Sequence, residues 1–463
     1  MDENMSNDGD TEKHSATPIL IGLGIGLVLG LIANFVGVAG RETPASWVAT
    51  AVAVAQPVGR IFLRLMMMVV VPMVVAALAL SVVEIGDVRK LGRMGLRTLV
   101  FTGIFSTAAV LIGMGLVNLF QPGNRLPAET RDRLIALYST PKAAGDAKES
   151  AQQKQLKAIE ANAEKKKSIG EVLVDMIPEN PLQEMVGAVD GSSKGNGMLA
   201  VMVFSLIMGL AITLRMDDCR PLIGVLQSIL VVTTVIIEFA LKLAPLGAGC
   251  LVFAITAQLG FEIVRTLAWF AGTVVLGLSL QLFVTYSFVI WTFGGMSPWR
   301  FFHDAAEAMI TAFSTSSSNA TLPTAIRVAE DDLKLPPAVS RFVLTVGATG
   351  NQNGTALYEG VVILFLAQVM GVELNFAQQL QVVLMSILAG IGTAGVPGGS
   401  IPLIVVVMKS VGIPGESIGI ILGVDRLLDM CRTVVNVMGD LAVATCVAKS
   451  ESAAAAHEEV TSP

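Results

Sequence analysis

Six long apolar runs, near residues 18–40, 50–84, 95–120, 197–214, 221–253 and 263–294, dominate the first two thirds of this chain. A helix needs roughly 20 apolar residues to cross the hydrocarbon core, so each run can span, the fourth only just. Only 15% of the residues are charged, against about 25% in an ordinary soluble chain, so these runs belong to an integral membrane protein. Four cysteines, Cys219, Cys250, Cys431 and Cys446, sit in or beside apolar sequence without CxxC spacing, which argues against a disulfide framework and a zinc site. The net charge of −6 does not bear on nucleic acid, because the basic residues are scattered through loops. Residues 1–17 are acidic and lack the basic region of a cleavable signal, so they read as a cytoplasmic tail entering a retained first span.

After residue 294 the pattern changes. Apolar stretches near 303–328, 340–371, 376–408 and 414–448 are each interrupted, at Ser314–Ala320, Asn351–Thr355, Gly392–Ser400 and along a charged stripe from Asp425 to Asp440. Lipid has no partners for irregular backbone, so such segments must be buried in protein or line a wet cavity. The first and third read as re-entrant helical hairpins turning at their polar tips, and the second and fourth as spans that follow them. Interrupted segments at matching places in two halves point to inverted repeats and a transport site near the midplane.

Lys and Arg in the short loops set the orientation. Arg89, Lys90, Arg93, Arg97, Arg215, Arg220 and Arg300 fall on the side of the N-terminus, which makes that side, and the C-terminus, cytoplasmic. Residues 122–170 carry ten Lys or Arg but also six acids; long loops weigh little, and the segment reads as a polar, partly helical or disordered insert outside the membrane.

Asp425, Asp429, Arg432, Asn436 and Asp440 recur at steps of four, three, four and four, which places all five on one helical face. A charged side chain at mid-membrane costs at least about 2.5–3.5 kcal/mol, so these groups must face partners, ions or substrate. Asp429 and Arg432 could simply neutralise each other at i,i+3, but Asp440 has no such neighbour on the stripe. Counting Asp425, Asp429 and Asp440 against Arg432 leaves the stripe at −2 when all are ionised. An anionic substrate therefore needs cations to enter with it. The Arg432 fork matches a carboxylate, Asp429 can hold an ammonium, and together they describe an amino acid with an acidic side chain. Asp440, Asn436 and the broken backbone at Gly347–Asn351 offer the oxygen ligands that a hard cation prefers.

At these residues the chain resembles the dicarboxylate/amino acid:cation symporter family. The resemblance runs from about residue 18 to 449 and rests on four ordered motifs: Ser316–Pro323, Gly347–Tyr358, Gly392–Pro397 and Arg432–Asp440. Arg64–Met68 and Asp175–Pro181 agree with it. It implies an all-α polytopic membrane protein of eight transmembrane helices and two re-entrant hairpins, working as an elevator within a homotrimer. The implied division is a tail (1–17), scaffold spans (18–94 and 171–253), a third span (95–121), the insert (122–170), a transport domain (254–449) and a tail (450–463).

By the same resemblance, Arg432 and Thr355 hold the substrate side-chain carboxylate and Asp429 its amino group. Asn436 and Ser318, with Ser317 beside it, hold the main carboxylate, while Thr433 and the hairpin backbone at Val396, Pro397 and Gly398 close over the substrate. One sodium is expected among Asp440, Asn351 and the carbonyls of Gly347 and Asn436, and a second among carbonyls of Thr349, Gly390, Ile391 and Thr393.

The chain departs from the family pattern in three places. The usual Asn-Met-Asp-Gly-Thr is Asn351-Gln352-Asn353-Gly354-Thr355, so an ion-binding carboxylate has become an amide. The third-span residues of the same deep sodium site align to Thr102, Phe105 and Ser106, two of them changed. No second arginine stands at Ser316 or Met430. These changes imply fewer coupled sodium ions than in relatives with the full motif, with protons as the alternative coupling ion.

The expected function is a symporter in the cell (inner) membrane importing glutamate or aspartate with sodium ions or protons. It is a multi-pass protein in contact with lipid, with no nucleic-acid partner, no other cofactor and no enzymatic activity. Carriage of a C4-dicarboxylate, cystine or a neutral amino acid is the alternative within the family. A channel is a further reading. An intramembrane protease is disfavoured, since His303 lies about a dozen residues outside the serine tip and the three aspartates share one helix.

Arg432→Cys is expected to weaken glutamate and aspartate transport and to gain uptake of a neutral amino acid, because a buried carboxylate without its guanidinium costs several kcal/mol. Uptake of labelled aspartate and serine by the variant checks it; undiminished aspartate affinity would remove Arg432 from the substrate site.

Overall fold

The structure is a computed structural model that describes residues 16–38, 44–86, 93–139, 174, 177–190, 198–392 and 398–461. Among the described residues, seven helical segments are long and apolar enough to cross a membrane. They are α1 (Ala16–Gly37), the pair α2 (Ser46–Met68) and α3 (Val70–Gly86), α4 (Arg93–Phe120), α8 (Arg220–Leu259), α9 (Phe261–Gly294), the pair α13 (Pro337–Gly350) and α14 (Asn353–Met370), and α17 (Leu422–Thr461). The 17-residue α7 (Met198–Leu214) is the short fourth span, which brings the total to eight. Short helices α5 (Ala128–Ser139) and α6 (Pro181–Asp190) precede it in sequence.

Both interrupted segments are hairpins. The first comprises α10 (Pro298–Asp304) and α11 (Ala306–Thr315) descending to a turn at Ser316, then α12 (Ser318–Arg327) returning. Ser316 takes a left-handed conformation with φ 51°, which reverses the chain within two residues. The second comprises α15 (Phe376–Gly392) and α16 (Ile401–Ser410). The expected ion ligand Thr393 and the expected closing residues Val396 and Pro397 lie outside the described residues, as does 140–170 of the polar insert.

Burial separates the spans into two kinds. In α13–α14 the apolar window is 94% buried and in α17 it is 89% buried, whereas in α8 it is 17% and in α1 22%. The last two spans are therefore the centre of the protein, and α1 and α8 lie at its outer surface. Around the centre pack α4 on α14, α9 on α4 and α17, and the arms of the first hairpin on α17. On the outer side α1 and α2 pack along α8, and α3 packs against α7 and α8. Trp47, Trp269, Trp291 and Trp299 are all exposed, as interfacial anchors should be, and the Arg125 guanidinium stacks 3.8 Å above the Trp269 ring.

Residues 450–461, expected as a tail, continue the last helix, and Glu451 pairs with Arg97 at 2.6 Å across to the start of α4. The α1–α8 contact is made by small residues. A Cβ added to Gly22 would strike the backbone of Pro245, and one added to Gly26 the backbone of Gly249. Asn34 then donates to the Ala257 carbonyl at 3.1 Å farther along the same contact. With lipid offering no hydrophobic drive, such close backbone approach is what holds two spans together.

Gly26→Ala should therefore destabilise the protein by about 1–3 kcal/mol, because the obstructing atoms are backbone and cannot swing aside. Gly24→Ala, whose new methyl meets nothing within 4 Å, should leave the thermal midpoint of the purified protein unchanged.

Candidate functional site

The seventh span breaks at Asn351 and Gln352, whose backbone angles leave the helical region between α13 and α14. A helix N-terminus buried in the membrane interior exposes N–H groups that need acceptors. Asn436 of α17 supplies one. Its Oδ1 accepts from the N–H of Gly354 at 2.7 Å and of Thr355 at 3.3 Å. Its Nδ2 donates to Gln352 Oε1 at 2.6 Å and to Thr355 Oγ1 at 3.1 Å. Gln352 in turn donates to the Ala348 carbonyl at 2.7 Å, so its long side chain bridges the break. Every hydrogen-bonding position of Asn436 is thus taken within the chain, including those expected for a substrate carboxylate.

One turn farther along α17, Asn351 Nδ2 donates to Asp440 Oδ1 at 2.8 Å. Both residues are buried, and Asn351 Oδ1 has no partner. Gly347 lies so close that a Cβ there would overlap the Asp440 carboxylate. The expected sodium ligands Asp440, Asn351 and Gly347 therefore converge. A small cavity of about 10 Å³ opens beside them, lined by Thr102, Gly347, Gly350 and Asn351 among others; that is room for about one water-sized particle. Of the second expected set, Gly390 is close to the break, since its carbonyl accepts from Gln352 N–H at 3.2 Å. The Ile391 carbonyl accepts from Ser81 Oγ of α3 at 3.3 Å. Thr349 Oγ1 donates to the Val346 carbonyl at 3.2 Å.

The deep position of Asn353, where the resemblance leads one to expect a carboxylate, is closed by neutral groups. Asn353 accepts from Ser106 Oγ at 2.8 Å and donates to Tyr286 Oη at 3.3 Å, and Tyr286 donates to the Val435 carbonyl at 3.0 Å. Phe105, fully buried, packs on the Tyr286 ring with centroids 4.9 Å apart. A π-helical turn at Gln281–Thr285 aims Gln281 Nε2 at the Phe105 carbonyl, 3.1 Å away; such turns recur at functional sites. The amide, two hydroxyls and a ring fill this space as a hydrogen-bonded chain without formal charge.

At the other end of the stripe, Arg432 pairs with Asp429 Oδ1 through Nε at 2.9 Å and Nη2 at 2.7 Å. Its guanidinium lies 4.7 Å over the Tyr358 ring, and Tyr358 Oη donates to Asp425 at 2.6 Å. The Gly398 N–H, at the tip of the second hairpin, donates to Asp429 Oδ2 at 3.2 Å, and Gly398 has φ +71° with Leu241 of α8 against it. Thr433 Oγ1 donates back to the Asp429 carbonyl at 2.8 Å. In the first hairpin, Ser317 Oγ caps α12 by accepting from Ala320 N–H at 3.2 Å, and Ser318 is buried at its first turn.

Two buried residues of this region escaped the sequence reading. Arg426, 7% exposed, reaches Asp429 Oδ2 with Nη1 at 3.4 Å. It corrects the charge of the stripe: Asp425, Asp429 and Asp440 against Arg426 and Arg432 leave −1 rather than −2. Its signal was its place three residues before Asp429, on a ridge beside the one that was counted. Glu359, fully buried on α14, has no hydrogen-bond partner on either oxygen; its signal was a lone acid in an otherwise apolar span. His303 is solvent-exposed and pairs with Asp304 at 3.1 Å, away from every serine of the tip, which leaves no catalytic constellation there.

A broken span, two hairpins meeting at it, and buried charges on one helix face define a polytopic membrane carrier with its site at the protein centre. Residues 16–450 match the sodium:dicarboxylate symporter family. The chain belongs to that family and is a transporter, not an enzyme. It is 29% identical over 440 residues to a proton/sodium-glutamate symport protein of Bacillus subtilis (strain 168), covering 94% of this chain and 92% of that one. It is 29% identical over 448 residues to a proton/glutamate-aspartate symporter of Escherichia coli (strain K12), covering 94% and 92%. With human excitatory amino acid transporter 3 it shares 30% over 407 residues, covering 82% of this chain and 76% of the relative.

Asn353→Asp should add no further sodium ion to the transport cycle, since Thr102 and Phe105 still supply the wrong ligands and the new charge has no counter-charge in the neutral chain. Reversal potentials in proteoliposomes check this, and an increased sodium count in the variant would overturn it. Thermal stability should also fall, because an unpaired buried charge costs several kcal/mol.

Proposed function

We propose that the protein imports an acidic amino acid, glutamate or aspartate, together with sodium ions or protons. The observation that carries this reading is the buried Arg432–Asp429 pair beneath the backbone of Gly398. Opening that pair offers a guanidinium to a carboxylate and a carboxylate to an ammonium at one place, within reach of a hairpin tip that can close over the ligand. Thr355 and Thr433 flank it, and Ser317 and Ser318 belong to the facing hairpin. The names of the relatives, proton/sodium-glutamate and proton/glutamate-aspartate carriers, support the same substrate class.

Asp440, Asn351 and Gly347 are the sodium site we favour, because they converge on a buried carboxylate beside an unpartnered amide oxygen. Asn436 contributes to it through its carbonyl, while its side chain holds the broken helix. Thr349, Gly390, Ile391 and Thr393 form a second site whose completion depends on the second hairpin. Glu359 is the proton carrier we assign: its carboxyl lacks any internal partner, on the same helix as Thr355, so a bound proton is the simplest way to cover it.

Transport proceeds as an elevator. Residues 95–121 and 254–449 move as the transport domain against a scaffold of 18–94 and 171–253, within a homotrimer in the cell membrane. Both termini are cytoplasmic by the distribution of Lys and Arg in the short loops. The hydrogen bond from Ser81 to the Ile391 carbonyl joins the two parts in the state described here.

Uptake of labelled glutamate, aspartate, succinate, serine and cystine into proteoliposomes under separate sodium and proton gradients tests this function. Glutamate or aspartate should be accumulated. Asp440→Asn should remove the sodium dependence of substrate binding, and Glu359→Gln should remove acceleration by a proton gradient while sparing sodium dependence. Uptake of serine without aspartate would overturn the reading.

A further inference from the structure

We infer that Arg426 is a second carboxylate-binding residue of the substrate site, and that it makes the carrier select ligands with two carboxylates by engaging the one beside the ammonium. The inference rests on the acidic-amino-acid reading above for the placement of the ammonium at Asp429 and of the side-chain carboxylate at Arg432.

Three observations lead there. First, Arg426 is buried yet weakly engaged. Its Nη1 lies 3.4 Å from Asp429 Oδ2, the longest of that carboxylate's charged contacts, and its Nε has no hydrogen-bond partner among the described residues. An arginine with unused donors in a protein interior is costly unless a further acceptor meets it in some state of the cycle. Second, Asp429 is shared. Arg432 holds Oδ1, while Arg426 and the Gly398 N–H hold Oδ2, so the two guanidinia stand on opposite sides of one carboxylate. An ammonium that takes Asp429 loosens both of them: Arg432 keeps only its 3.8 Å contact with Asp425, and Arg426 is left without an ion-pair partner among the described residues. Third, the side chain expected to receive the main carboxylate, Asn436, has its amide fully committed to Gly354, Thr355 and Gln352 at the helix break. Its release would uncap the buried start of α14.

The charges match. Asp425, Asp429, Arg426 and Arg432 sum to zero among themselves. A ligand with one ammonium and two carboxylates satisfies Asp429 and both arginines at once. A neutral amino acid would displace two guanidinia and return only one carboxylate. The geometry therefore discriminates against it twice, at Arg432 and at Arg426. Arg426, Asp429 and Thr433 lie on one ridge of α17, at i, i+3 and i+7, so the carboxylate next to the ammonium is within reach of the arginine that had shared Asp429.

The test compares binding to the purified full-length protein in sodium of aspartate, its α-carboxamide (isoasparagine), succinate and succinamate. The wild type should prefer aspartate to isoasparagine. Arg426→Gln should weaken aspartate about 10- to 100-fold, the loss of a charged hydrogen bond, and leave isoasparagine nearly unchanged, collapsing the preference; Arg426→Lys should restore part of it. Equal weakening of aspartate and isoasparagine would mean that Arg426 only positions Asp429, and unchanged aspartate binding would mean that it plays no part; either overturns the inference. Failure of the underlying reading looks different: a wild type that binds succinate but not aspartate. The same comparison is then read from succinate against succinamate, where Arg426→Gln must again narrow the preference for the doubly charged ligand, and an unaltered ratio overturns the proposal. Circular dichroism and trimer-independent thermal melting of each variant exclude misfolding as the source of any loss.

Discussion

A helix broken in the interior of a membrane protein exposes peptide groups that lipid cannot satisfy. Asn436 answers that requirement with four hydrogen bonds at Asn351–Thr355, and the arrangement of both ends of the last span depends on it. With α13, α14 and α17 pinned at this point, Asp440 meets Asn351 on one side and Arg432 meets the start of α14 on the other. The ion site and the substrate site proposed above would thus be two consequences of one repaired break. Their coupling has a short physical path, since a change at Asn436 reaches both within one turn of helix.

Charge explains why such a centre carries cations. The stripe holds five formal charges out of reach of water and is left at −1, so an acidic substrate deepens an existing deficit of positive charge. Cations entering with it make up the difference. The chain of Ser106, Asn353, Tyr286 and Val435 is neutral throughout, so it offers a cation no formal negative charge. Glu359 stands in contrast, as a buried acid with no hydrogen-bond partner among the described residues, which is why it is the proton carrier proposed above. Ion use is then set by the count of buried acids rather than by the overall fold.

The outer helices serve a different purpose. Glycines at Gly22 and Gly26 let α1 lie against α8 with backbone touching backbone, at the outer surface of the protein. The centre, by contrast, is buried on all sides and polar within. The elevator proposed above would use both, with the outer helices fixed in the bilayer while the buried charges move across it.

Most of the architecture was legible in the sequence, because lipid imposes strict rules on length and periodicity. The spans, both hairpins and the break at Asn351–Gln352 followed from apolar runs and their interruptions, and the stripe from Asp425 to Asp440 followed from helical spacing alone. Asp429, Arg432, Asn436 and Asp440 could be named because one face of one helix brings them into line. Tertiary structure alone decided which partners they meet. That Asn436 is consumed by the helix break, that the Gly398 N–H reaches Asp429, and that Asn353 ends in a neutral chain with Tyr286 all depend on contacts across 31 to 84 positions of sequence. Arg426 and Glu359 were missed for the same reason: periodicity records which face of a helix a residue occupies, while the presence or lack of a partner for a buried charge is a property of the space around it.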